Sequence, residues 1–225
     1  MFSIYLKKLM FYSIDFLFLV IISSKEVGIM CTSFYINSLD PKASFKIRDY
    51  LCQELSPVIK ENRPIVFICI GSDRSTGDAL GPLIGEKIKF LSKNNIFIYG
   101  TLEETVHAGN LKETVKIIKS KHKKPFIIAI DACLGAVDNV GHVLIEKRPL
   151  KPGIALNKDL PEVGDLSILG IVNISGSLEF MVLQNTRLYT VMLLANAISN
   201  GIHHCILKSV GFKKNILDST LENIL

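Results

Sequence analysis

Asp78 and Asp131 are the two residues of this chain whose settings point to chemistry. Asp78 closes a polar turn, Gly71-Ser-Asp-Arg-Ser-Thr-Gly77, and Asp131 directly follows the apolar run Pro125-Phe-Ile-Ile-Ala-Ile130. A carboxylate leaving a buried run is unfavourable unless it is paired, hydrogen-bonded or protonated. Two such acids at one edge can share a proton or hold a water between them, with their pKa values pushed apart. General acid/base hydrolysis requires that arrangement. The pair could instead bind a divalent metal, which would want a histidine or a third acid nearby. Each also has a plain structural reading. Asp78 could cap a helix start, and Asp131 could accept from neighbouring loop amides.

Further acids belong to the same neighbourhood. Asp73 lies in the first turn, and Glu103 and Glu104 lie in Gly100-Thr-Leu-Glu-Glu-Thr-Val-His107. His107 is the histidine nearest this edge, and a lone histidine is more often structural than a ligand. Cys133 stands two residues past Asp131 with no base evident to activate it, so it reads as a small buried thiol. The turn is neither a GxGxxG motif nor a P-loop, because no lysine follows Gly77, and Asp73 and Asp78 would repel phosphate.

The elements that must position these residues alternate. The spacing predicts an amphipathic helix over Lys42–Lys60, a strand over Ile65–Ile70 and a helix over Asp78–Ser92 with Pro82 in its first turn. It then predicts a strand over Ile96–Tyr99, a helix over Asn110–Ser120 with apolar positions Leu111, Val115 and Ile118, and a strand over Phe126–Ile130. His142–Glu146 reads as a strand near an edge, and 151–165 as a long loop. Leu169–Ile174 is a further strand. Leu178–Ser199 is one long helix stopped by Asn200-Gly201. Short apolar runs between Pro and Gly are buried on both faces. The fold class is therefore α/β, a three-layer α/β/α sandwich with a mostly parallel sheet, whose ligands bind beyond the carboxyl ends of the strands.

At 225 residues the chain fits a single domain, and 48% apolar residues exclude a disordered one. The net charge of +5 is spread out, apart from the basic stretch Lys119–Lys124. That stretch reads as a solvated helix end, and no nucleic-acid partner is expected. Five cysteines without CxxC spacing suit free thiols in a reducing cytoplasm. The apolar stretch Leu9–Ile22 follows Lys7 and Lys8 and is shorter than the ~20 residues that span a bilayer upright. Residues 1–29 are read as an extension ahead of a start at Met30, with a membrane anchor or a signal peptide as the other readings. Residues 30–225 are read as one α/β domain.

Several stretches together resemble one family. They are Ile70-Gly-Ser-Asp-Arg-Ser-Thr-Gly-Asp-Ala-Leu-Gly-Pro82, Tyr99-Gly-Thr-Leu-Glu-Glu104, Ile130-Asp-Ala-Cys-Leu-Gly135, Pro161-Glu-Val-Gly-Asp165 and Gly170-Ile-Val-Asn-Ile-Ser-Gly176. They look like the YyaC-type sporulation proteins of endospore-forming Firmicutes, a family named as spore proteases. These are similar, more distantly, to the germination protease and to hydrogenase-maturation endopeptidases. The resemblance implies a phosphorylase/hydrolase-like fold and a cytoplasmic peptidase of the forespore or spore interior. It implies Asp78 and Asp131 as the catalytic pair; Asp73, Glu103, Glu104 and Asn173 are read beside them as groups that orient the substrate or support the pair. The substrate would be a protein or peptide, small spore proteins among the candidates. In the maturation enzymes a later histidine helps to bind nickel, and its match here is Asn173, a poor ligand for that metal. No cofactor or metal is therefore expected. Two alternatives stay open: a non-catalytic spore binding or assembly protein on the same fold, and a metal-dependent maturation endopeptidase.

Overall fold

The computed structural model describes residues 33–93, 95–152, 162–176 and 178–210. The apolar stretch 9–22, Cys31 and most of the expected loop 151–165 lie outside them. The centre of the fold is β2 (Ile65–Cys69), buried along its whole length. Ile65, Phe67 and Cys69 enter one core, and Val66 and Ile68 enter the other, as the two-residue period of a strand dictates. On one face the strand meets α1 (Ala43–Lys60), α2 (Leu80–Ile88) and α5 (Leu188–Val210). On the other it meets α3 (Leu111–Lys121) through Leu111, Val115 and Ile118. The three layers are those the alternation of elements implies.

The remaining strands are β1 (Ser33–Asn37), β3 (Ile96–Tyr99), β4 (Phe126–Gly135), β5 (His142–Glu146) and β6 (Leu166–Ile174). Their order across the sheet is β1-β5-β6-β4-β2-β3. β6, β4, β2 and β3 pair in parallel, while β5 runs antiparallel to both of its neighbours, β1 and β6. After β2 the chain crosses by α2 to β3 on one side. It then crosses by α3, over the opposite face, to β4 on the other side. The winding reverses between β2 and β4, so a crevice opens beyond their carboxyl ends. Asp165 fixes the far side of β4: its carboxylate accepts from the Ile127 amide at 2.8 Å, and its own amide donates to the Ile127 carbonyl at 2.7 Å.

The structure differs from the sequence reading in six places. β4 does not end at Ile130 but continues through Asp131 to Gly135, because β6 offers it partners up to Ile174. β6 likewise starts earlier, at Leu166. β1 was not foreseen: its five residues become a strand only because β5 presents an edge to them. The helix expected from Asp78 starts at Leu80 and ends at Ile88, followed by a single 3-10 turn over Lys89–Leu91. The helix expected over Leu178–Ser199 is two, α4 (Glu179–Gln184) and α5. Thr186 breaks it. That buried hydroxyl donates to the Val182 carbonyl at 2.8 Å and accepts from the Asn173 amide at 3.2 Å.

Asn200-Gly201 does not stop α5. Gly201 faces α1 so closely that a Cβ there would stand 2.5 Å from Ile47 Cγ2 and 3.1 Å from the Ser44 carbonyl oxygen. The glycine serves a helix crossing, not a helix end. α5 is long and apolar enough to cross a membrane by length and composition, but Val191, Leu194, Ile198 and Ile202 are buried in the core under α1 and α2. It is a core helix of the α/β domain.

Candidate active site at the strand switch

The loop after β2 is held closed on itself. Ile70 continues the strand for one residue, its amide donating to the Ile130 carbonyl at 2.7 Å. Gly71 then turns at φ 143°, a conformation open to glycine, with its amide on the Val106 carbonyl at 2.8 Å. The Ser72 amide donates to the Asp78 carbonyl at 3.1 Å, and the Ala79 amide to the Ser75 carbonyl at 2.9 Å. The Gly77 amide reaches the Leu183 carbonyl of α4 at 2.9 Å. Gly81 lets the start of α2 press against the end of β2: a Cβ there would lie 1.9 Å from the Ile70 carbonyl oxygen. These contacts fix Asp78 beside the crevice. Its side chain caps nothing in α2, so the capping role is not the one it plays.

Asp131 sits where β2 has already ended and β4 is still paired, on the face it shares with Ala129 and Ile127. One of its oxygens accepts from the Ala132 amide at 2.8 Å. Burial raises its pKa well above the usual carboxylate value, and the charge of Asp78 raises it further, against the pull of that amide. Asp78 is raised too, by burial, with the Ser72 amide and His107 acting in the opposite direction. Burial of both acids and the charge of Asp78 on Asp131 disfavour the state in which both are ionised. The upward push is the greater on Asp131.

Asp78 and Asp131 line one cavity of about 660 Å³. Asp73 and His107 line it as well. The Nδ1 of His107 accepts from the Gly109 amide at 3.1 Å, so the neutral ring carries its proton on Nε2. A second cavity of about 530 Å³ adjoins the first, with Asp131 in the wall of both. Cys133 belongs to the second, and its thiol is pushed up to about 12, first by burial and then by the charges of Asp131 and Glu146. It is held protonated and is no nucleophile at neutral pH.

The other residues singled out from sequence lie elsewhere. Glu103 and Glu104 are exposed in the turn after β3 and do not line either cavity; Glu103 lies near Lys89 instead. Asn173 is spent on α4, donating to Val182 and Thr186 at 3.4 and 3.2 Å while its oxygen accepts from the Ile174 amide at 2.9 Å. It shapes the wall without entering the cavity. Among the described residues no group of three histidines, cysteines or acids is close enough to hold a metal ion. Sequence reasoning passed over Arg74 and Phe180 and gave His107 a structural role. Arg74 was legible as the cation inside the first turn; Phe180 carried no signal, because α4 was read as the start of a longer helix.

Comparison with known proteins places this geometry in context. Residues 35–201 match the family described as a protein of unknown function, DUF1256. A relative from Bacillus subtilis (strain 168), the uncharacterized protein YyaC, is 50% identical over 168 residues, covering 75% of this chain and 81% of its own. Among solved structures, the [NiFe] hydrogenase maturation protease HycI from Thermococcus kodakarensis KOD1 aligns at 18% identity with a TM-score of 0.33. That alignment covers 64% of this chain and 98% of HycI.

Proposed function

The chain belongs to the DUF1256 family, and on that premise we propose that it is a peptidase hydrolysing a peptide bond with Asp78 and Asp131. One observation carries the reading. Both acids line a single cavity at the strand switch, and Asp78 raises the pKa of Asp131. In this mechanism Asp78 is the ionised member and takes a proton from a water. The water oxygen forms its bond to the scissile carbonyl carbon. Asp131 gives its proton to the leaving nitrogen as the carbon–nitrogen bond breaks, and the proton gained by Asp78 then restores the pair. His107, near Asp78 and lowering its pKa, favours this assignment of base and acid. The sporulation setting and a cytoplasmic location belong to the same proposal and rest on the family resemblance.

The test is cleavage of spore-extract proteins, read by mass spectrometry, with wild type, Asp78→Asn and Asp131→Asn. Each variant should lose about 10²–10⁴-fold in rate, the usual worth of a positioned acid or base, while its circular dichroism matches wild type. Wild-type rates in either variant would rule the mechanism out. An inert wild type would favour a binding protein on this fold.

A further inference from the structure

Arg74 lines the same cavity as the two acids and is exposed, yet its guanidinium makes no ion pair or hydrogen bond among the described residues. It does not neutralise the acids either. Beyond burial, the groups that shift the pKa values are the Ser72 amide and His107 for Asp78, and Asp78 and the Ala132 amide for Asp131, and Arg74 is not among them. The cation stands exposed in the wall of the cavity. Its base is fixed, since the Arg74 amide donates to Ser72 Oγ at 3.3 Å within the closed loop. The adjoining cavity is different: its cations are already matched, Arg148 to Glu146 at 2.7 Å and Lys151 to Glu162 at 3.0 Å. Among the described residues Arg74 is a cation of this cavity with no ion pair, its chain neighbour Asp73 is an acid with none, and Phe180, 55% exposed, is an apolar surface in the same wall.

We infer that Arg74 is the specificity determinant of this site and binds a carboxylate of the polypeptide that the cavity takes. A planar guanidinium offers paired donors matched to the two oxygens of a carboxylate. The net charge of +5 draws acidic polypeptides towards the molecule. The carboxylate could be an Asp or Glu side chain or a chain end; the chemistry is shared. The inference rests on the peptidase reading for the identity of the ligand as polypeptide, but its test does not need turnover.

Three fluorescein-labelled peptides serve as probes: alternating Ala and Asp with an amidated end, alternating Ala and Asn with an amidated end, and the Ala/Asn peptide with a free carboxylate end. Binding is followed by fluorescence anisotropy with wild type, Arg74→Gln, Arg74→Glu and Asp131→Asn. Wild type and Asp131→Asn should bind a carboxylate-bearing peptide about ten- to a hundredfold more tightly than the neutral one, the worth of a charged hydrogen-bonded contact. Arg74→Gln should erase the preference and Arg74→Glu should turn it against acids, with unchanged melting temperatures because the side chain is exposed. Preference for the blocked Asp peptide identifies a side-chain carboxylate; preference for the free-ended peptide alone identifies a chain end. Equal affinity for all three peptides, or a preference that survives Arg74→Gln, overturns the inference. An Arg74-dependent preference in a protein that cleaves nothing would retain it and remove the peptidase reading.

Discussion

Asp131 illustrates how the burial of a single carboxyl ties stability to pH. Its pKa is raised in the folded protein, first by burial and then by Asp78, above the usual value near 3.8. The folded state therefore holds a proton that the unfolded chain releases at lower pH. The contribution of this group to stability is fully present below the unfolded value and is lost as pH rises through the folded one. Wild type should accordingly gain stability as pH falls through the raised pKa towards 3.8, and Asp131→Asn should not. Urea unfolding of both proteins across pH 5–8 checks this. Parallel pH profiles for the two would remove Asp131 as the titrating group. The position was readable from the residues, because an acid directly after a run such as Phe126–Ile130 has few reasons to be there. Its proton was not, because that depends on Asp78, more than fifty residues away in sequence and adjacent only in the fold.

At the scale of elements, glycines decide how closely helices approach their neighbours. Gly81 presses α2 onto the end of β2, and Gly201 presses α5 onto α1. In an exposed helix interior, glycine to alanine stabilises by roughly 1 kcal/mol. Gly201→Ala should do the opposite. The new methyl would meet Ile47 Cβ and Cγ2 at 2.7 and 2.5 Å, atoms close to a buried backbone, so overpacking of about 1–3 kcal/mol should outweigh the helix gain. Thermal unfolding of the variant measures the balance, and a raised melting temperature would show that α1 can move aside. Periodicity gave the existence of most helices and strands, since Leu111, Val115 and Ile118 or the alternation along β2 record burial directly. Ends were harder to read. Asn200-Gly201 carries the local signature of a helix stop, and only α1 lying alongside gives the glycine another purpose. The break at Thr186 depends on Asn173, from a different element.

For the whole molecule, the two cores lie on opposite faces of one sheet and share strands β2 and β4. Neither core can melt without stripping strands from the other. Unfolding in urea should therefore be a single transition, with far-UV circular dichroism and tyrosine fluorescence coinciding. Two separated transitions would mean that the α3 face opens independently. The chain by itself determined the α/β class and the alternation of buried strands with helices, and it singled out Asp78 and Asp131, because each follows from local residue type and short-range periodicity. Its motifs also carried the family resemblance. The tertiary structure decided where those residues stand relative to one another. The reversal of winding between β2 and β4 sets Asp78 beside Asp131 and raises the pKa of Asp131. The same fold sends Glu103, Glu104 and Asn173 elsewhere and brings Arg74 and His107 in. Proximity across long sequence separations follows from strand order and crossover sides, which no local pattern of residues encodes.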